Sequence, residues 1–334
     1  MNTYLYETIL NLKQRVFILP AAYPVGLEMD KAISEFASDA NTQIQVLEQV
    51  YKRFGGTFLL PVWDRMIEAE AFGAPLQMDA KLPIGSAGTV VASQRDVEAL
   101  MIPRPGHKRT TVTLAIPRLL KERLPEPKPL VLGIINGPLA VARQLMGEEG
   151  WEEILNRQPE VLDALLDKIM RFLPDYAHAF GFNEADGIVL SEPLEDALTA
   201  EQRERFSLRH VRRLIQQVQS PRFAIILHNP LADEAQLQLW QTSGAAGYWF
   251  GSRVNLVSAV KRFAEDTLVI GNLSVDWLTT ASPEAVYEET QNLLTAMRDF
   301  PNFVLAPEDD LPPHTPLANL DALIRGVNRF NGDF

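Results

Sequence analysis

Eight short apolar runs in this chain each end on polar side chains of types that do chemistry. Tyr23 follows the first, Asp64 the second, Asn136 the third and Ser191-Glu192 the fourth. His228-Asn229 follow the fifth, Ser252-Arg253 the sixth, Asn272 and Ser274 the seventh, and Glu308-Asp309-Asp310 the eighth. The set is polar and acid-rich, with one histidine and one arginine. Asp64, Ser191, Glu192 and His228 are the catalytic candidates; Tyr23, Asn136, Arg253, Asn272 and Glu308 are candidates for holding a substrate. Each also has a plainer role. Asp64 could cap a helix, Asn136-Gly137-Pro138 is a turn signal, and Ser191-Glu192-Pro193 could be a helix entry. His228 could be a hydrogen-bonded structural residue, Glu308–Asp310 a solvated loop, and Arg253 half of a surface ion pair.

The elements that must position these residues follow from the runs themselves, which are Val16–Ala22, Gly56–Trp63, Leu130–Ile135, Gly187–Leu190, Phe223–Leu227, Gly247–Phe250, Leu268–Ile270 and Phe303–Leu305. Continuous apolar runs without period-2 alternation suit strands buried on both faces, as in parallel sheets. Between them, Ala32–Phe54, Trp151–Phe172, Ala200–Val218, Leu256–Phe263, Pro283–Met297 and Leu317–Phe330 read as helices. Gly55-Gly56 stops the first, and Ser282-Pro283 starts the fifth. This alternation predicts one (β/α)8 TIM barrel spanning residues 1–334, with an N-terminal helical extension. The stretch 65–128 between the second and third strands is too long for one crossover. It reads as an insertion with a helix at Arg65–Phe72, a hairpin around Pro83–Gly88 and a helix near Ile116–Arg123. In such a barrel these polar side chains converge at the mouth formed by the C-terminal strand ends.

Composition narrows the function classes. The 334 residues are 46% hydrophobic, with 16 Phe, 7 Tyr and 5 Trp, enough to fill a large core. Lys and Arg number 31 against 43 Asp and Glu, and the net charge of −12 argues against nucleic acid or an anionic membrane as partner. With no cysteine there is no disulfide, iron–sulfur cluster, thiolate zinc site or cysteine nucleophile. The N-terminus lacks a signal-peptide pattern and no apolar run nears the ~20 residues that span a bilayer, so a cytoplasmic protein is expected. No phosphate loop, nucleophile elbow or His-Glu-x-x-His occurs. His107-Lys108-Arg109 reads as a solvated basic face of the insertion.

Several segments together resemble the uroporphyrinogen decarboxylase superfamily, the (β/α)8 barrels that include tetrapyrrole decarboxylases and cobalamin-dependent, zinc-containing methyltransferases. They are DRMIEAEAFG (64–73), GIINGP (133–138), GIVLSEP (187–193), IILHN (225–229), GNLSV (271–275) and APEDDLPPHTPLAN (306–319). The last resembles, in spacing, a methyltransferase-branch motif. The resemblance implies that Asp64 stands where the decarboxylases keep a charge-stabilising aspartate, and that Ser191 matches their serine. Their arginine motif for substrate carboxylates is absent, since the chain reads Ala21-Ala22-Tyr23-Pro24-Val25-Gly26. Their tyrosine falls on Gln144, and their late histidine has no counterpart near Pro307-Glu308. Arg253 and Arg143 are the cations expected near the mouth. The methyltransferase zinc ligands are a histidine and two cysteines; here the histidine is His228 and the cysteine positions are Pro230 and Asp309.

An oxygen-rich zinc site of His228, Glu192 and Asp309 is the substitute that the resemblance allows, as one nitrogen and two carboxylates suffice chemically. The same three could equally form a metal-free hydrogen-bonded cluster. Some aryl-ether demethylating members space their ligands Glu-x14-Glu-x20-His. Glu192 and His228 match the outer spacing, with Ser207 at the middle position and Glu204 three residues off. Three readings follow. The first is a methyltransferase-like enzyme for a small methylated or methoxylated substrate, working with a corrinoid carried by a partner protein. The second is a porphyrin-pathway tetrapyrrole decarboxylase. The third is a non-catalytic binding subunit. A homodimer is an assembly known in the family.

Overall fold

The computed structural model describes residues 4–193 and 198–332. Strand β1 is Phe58–Leu59; β2 (Leu76–Gln77) and β3 (Gly85–Ser86) make a small antiparallel hairpin. Then come β4 (Leu130–Asn136), β5 (Gly187–Ser191), β6 (Ala224–Asn229), β7 (Gly247–Phe250), β8 (Leu268–Leu273) and β9 (Phe303–Pro307). Among the described residues, seven of these form one curled parallel sheet in the order β1-β4-β5-β6-β7-β8-β9. A parallel bridge of Phe17 with Leu305 adds the N-terminal segment along β9. This is the (β/α)8 barrel expected, with its first strand reduced to a bridge.

The shortening has a local cause. Pro20 and Pro61 lack the N–H that a ladder needs, so the runs expected at Val16–Ala22 and Gly56–Trp63 stop early. The chain turns instead into a helix at Ala22–Glu28, which places Tyr23 on a helix rather than at a strand end.

Side chains alternate along the other strands. Leu132, Ile134, Val189, Ile226, Trp249, Leu268, Ile270 and Val304 fill the barrel interior, while Val131, Ile135, Ile188, Leu190, Ile225, Leu227, Val269 and Leu305 pack under the outer helices. Both strand faces are therefore apolar, which explains the continuous runs. Leu5, Tyr6 and Ile9 of the helix Tyr4–Asn11 join the interior cluster. The register sets Asn136, Ser191 and His228 side by side, next to Trp249. One row of side chains thus forms the floor of the mouth.

Several helices differ from expectation. Residues 32–54 break into Ile33–Phe36 and Ala40–Phe54, because Asp39 caps the second by accepting from Thr42 N at 2.7 Å. Two helices, Pro138–Arg157 and Pro159–Phe182, follow β4 where one was expected. The stretch after β5 is Ala200–Arg203, a π-turn at Glu204–Leu208, and Arg209–Val218. In the insertion the helices are Ile67–Ala71, Gln94–Ala99 and Thr110–Arg123, and the hairpin runs from Leu76 to Ser86, with only its second strand inside the expected Pro83–Gly88 stretch. No helix among the described residues is long and apolar enough to cross a membrane.

Candidate functional site

His228 is wholly buried, held edge-on between Trp63 (ring centroids 4.9 Å apart) and Trp249 (5.2 Å). Its Nε2 lies 3.0 Å from the Glu308 carbonyl oxygen and its Nδ1 3.1 Å from Ser191 Oγ. A carbonyl only accepts, so Nε2 carries the hydrogen and Nδ1 accepts from the serine hydroxyl. Burial lowers the imidazole pKa to about 4, and the ring is neutral. Tyr23 donates its hydroxyl hydrogen to the Trp63 carbonyl at 3.0 Å, and burial, aided by Asp310 and Asp64, raises its pKa well above the usual tyrosine value.

Asp64 is buried and paired with Arg109; its other oxygen accepts from Met66 N at 2.8 Å, but the N-cap of the helix Ile67–Ala71 is Met66, so Asp64 is not the helix cap it could have been. Arg109 also donates from Nε to Glu70 at 2.8 Å. It is 8% exposed, so the solvated face expected at His107–Arg109 is corrected: the arginine reaches inward because two carboxylates await it. Burial raises the Asp64 carboxyl pKa, and Arg109 opposes that rise.

Two further carboxylates stand behind the floor. Glu192, fully buried, accepts from Leu139 N (3.1 Å), Ala140 N (3.0 Å) and Ser207 Oγ (2.7 Å). Glu68, one helical turn after Asp64, accepts from the Asn136 backbone N–H at 3.0 Å and from its side-chain amide. Burial raises both to a pKa of about 7. Gly137 is required beside Glu192, since a Cβ there would lie 2.2 Å from the carboxylate.

The loop after β9 is an anchor. Glu308 accepts from Ser252 N (2.8 Å) and Val275 N (3.0 Å), tying down the loops after β7 and β8. Asp309 accepts from Arg65 Nη2 with both oxygens, at 2.6 and 2.7 Å. Burial, then Asp309, pushes the Asp310 carboxyl well up. Asn272 donates to the carbonyls of Gly251 (2.9 Å) and Val254 (2.7 Å), a loop-bracing role. Arg253 is exposed and donates to the Leu231 carbonyl at 3.1 Å.

His228, Glu192 and Asp309 do not form a ligand set. Each has its own partners, respectively Ser191 with the Glu308 carbonyl, the 139–140 amides with Ser207, and Arg65. Among the described residues, no group of three or more His, Asp or Glu is arranged to hold a metal ion. The donors therefore do not fit zinc.

A cavity of about 720 Å³ opens beside this packed centre, between the floor, the β2–β3 hairpin and the helix Pro138–Arg157. Its polar lining includes Arg65, Asn136, Arg143 and Gln144; Ile84, Leu139, Trp151 and Leu231 give it apolar walls. Of the expected site residues only Asn136 lines it. Arg143, expected near the mouth, is there, held by Glu148 (2.8 Å) with its guanidinium 5.9 Å from the Trp151 ring centre. Arg65, Glu68, Arg109 and Ser207 were missed as site residues. For Glu68 the four-residue spacing from Asp64 was a usable signal; for Arg65 and Arg109 no local pattern distinguishes them.

The sequence model of the Uroporphyrinogen decarboxylase (URO-D) family matches residues 26–330. No curated protein matches the chain. Among solved structures, a methyltransferase from Methanosarcina mazei superimposes with a TM-score of 0.82 at 18% identity, covering 95% of this chain and 94% of that one. A B12-independent methionine synthase from Shewanella sp. W3-18-1, in complex with selenomethionine, gives a TM-score of 0.58 at 12% identity over 88% of each chain. A putative vitamin-B12-independent methionine synthase from Listeria monocytogenes gives 0.54 at 12% identity over 88% of this chain and 86% of that one. At such identities the likeness is one of fold. The family match covers most of the chain, and the chain belongs to the uroporphyrinogen decarboxylase (URO-D) family.

Proposed function

We propose that this chain works in the manner of the family's methyltransferases, binding a small methylated or methoxylated molecule in the mouth cavity and passing its methyl group to a corrinoid held by a separate protein. The cavity is the observation that carries the reading. Its volume of about 720 Å³ suits a small organic molecule, with apolar walls and a few polar groups to orient it. It also opens at the strand ends, where a second protein could present its cofactor. A reduced corrinoid would supply the nucleophile for the methyl carbon. The chain's own residues bind and orient the substrate and exclude water from it. Glu68, behind Asn136 with a pKa of about 7, keeps a proton within reach of that wall near neutral pH.

The tetrapyrrole reading has less support. The Asp64 carboxylate is taken up by Arg109 and the Met66 N–H, so it is not directed at a substrate. Arg65 and Arg143, the guanidinium groups of the cavity, already face Asp309 and Glu148, whereas an octacarboxylate needs uncommitted cations. The test is incubation with cob(I)alamin and a panel of methyl ethers, methylated amines and methyl thioethers. Protein-dependent loss of the cob(I)alamin absorbance is expected with at least one of them. If no member reacts while some still bind, the non-catalytic reading replaces this one.

A further inference from the structure

The lining of the mouth cavity constrains both the charge and the hydrogen bonding of its ligand. This inference deepens the reading above and rests on its placing of the substrate. Both guanidinium groups of the lining are matched by carboxylates. Arg65 Nη2 donates to both oxygens of Asp309, and Arg143 pairs with Glu148 at 2.8 Å. Among the described residues of the lining the charges therefore balance. An anion or a cation would enter as an unmatched charge and give up its hydration for nothing.

Asn136 is 3% exposed and lines the same cavity. Its amide hydrogens go to the Arg65 backbone carbonyl at 3.1 Å and to the Glu68 carboxylate. A carbonyl only accepts, so the amide cannot turn over. Oδ1 is left as an acceptor without a partner among the described residues, open to the cavity.

Gln144, on the cavity side of the helix Pro138–Arg157, is held less firmly. Its Oε1 is buried without a partner, and its Nε2 has none among the described residues. A half-turn exchanges the two ends without losing a protein contact, so the open end can donate or accept. Nothing in the fold uses this carboxamide.

The geometry points to an uncharged ligand. It carries an N–H or O–H donor for Asn136 Oδ1, a second neutral polar group for Gln144, and an apolar remainder against Ile84, Leu139, Trp151 and Leu231. Asn136 and Gln144 are then the residues that determine specificity.

The test is calorimetric titration of the full chain at pH 7, without any corrinoid. The probes are para-methoxybenzamide, its methyl-ketone isostere para-methoxyacetophenone, para-methoxybenzoate and para-methoxybenzylammonium, with isobutyramide as a smaller amide. The ketone lacks only the N–H donor, so the Asn136 contact predicts several-fold tighter binding of the aromatic amide. The balanced charges predict that this amide also binds at least about fivefold tighter than either ion. Asn136→Ala, confirmed as folded by circular dichroism, should bring the amide-to-ketone ratio close to one. Gln144→Glu places a negative charge in the cavity and should improve the benzylammonium relative to the amide by at least about fivefold. Should Asn136→Ala not fold, the ratios on the unaltered protein and on Gln144→Glu decide. The inference is overturned if the ketone or either ion binds as tightly as the aromatic amide. A folded Asn136→Ala that keeps the parent's ratio, or unchanged selectivity in Gln144→Glu, overturns it too. So does the failure of both amides to bind up to about 10 mM. Binding without methyl transfer would refute the proposed reaction and leave this assignment standing.

Discussion

Replacing Arg109 by methionine keeps the length of the side chain and removes its charge from a site where Asp64 and Glu70 are both held by it. Arg109 is 8% exposed and Asp64 6%, so water cannot take over the pairing. At an effective dielectric near 20, two charges ~4 Å apart attract by about 4 kcal/mol. Breaking a buried pair from one side commonly costs about 3–5 kcal/mol, because the other charge stays buried alone. We expect Arg109→Met to lose about that much in urea unfolding at pH 7. The deficit should shrink at pH 5 and grow at pH 8. Asp64, already raised by burial, loses the arginine that opposed that rise, so its native form takes up a proton in acid while the unfolded form does not. The double variant Asp64→Asn with Arg109→Met removes both charges and should recover at least half of the loss. A deficit under about 1 kcal/mol, or one independent of pH, would refute the reasoning and return Asp64 to an uncompensated, chemically available state.

Three further outcomes are expected. Glu192 has a native pKa of about 7 against an ordinary 4.5, so its native form keeps a proton that the unfolded chain releases. Its contribution is complete below about pH 4.5 and is lost as the pH rises through 7, on the order of 3 kcal/mol in all. Glu192→Gln should therefore compare better with the parent at pH 8 than at pH 5 in chemical denaturation; a pH-independent difference contradicts it. Gly137→Ala, whose new Cβ would meet the Glu192 carboxylate at 2.2 Å, should cost about 1–3 kcal/mol, read as a lowered Tm, and an unchanged Tm would show that Glu192 does not pack there. Zinc titration followed by thermal shift should give the same response in the parent and in His228→Asn; a stabilisation that needs His228 would revive the His228, Glu192 and Asp309 ligand set.

The barrel was legible in the sequence because parallel strands are apolar on both faces, and β4 to β9 lie where their runs predict. The first two strands were overextended, since hydrophobic content continues past Pro20 and Pro61 although hydrogen bonding does not. Asp64, Asn136, Ser191, Glu192 and His228 do gather at the mouth, but their states depend on partners far away in sequence. Arg109, 45 residues beyond Asp64 and inside the insertion, pairs with it; Trp63 and Trp249 close over His228. Spacing along a chain cannot report which of several carboxylates an arginine reaches, and so Arg65 and Arg109 escaped notice. Glu308 and Arg253 lie in loops after their strands as expected, and Asn272 lies inside β8 rather than after it; each is occupied in bracing loops.

The central claim is that the chemistry belongs to the mouth cavity and not to the packed centre around Asp64. Cob(I)alamin methylation, measured on the parent, on Ala140→Trp (which fills the cavity) and on Asp64→Asn, tests it most directly. The account predicts a rate that falls at least about tenfold in Ala140→Trp and is largely kept in Asp64→Asn. Loss of the reaction in Asp64→Asn with full activity in Ala140→Trp would contradict it.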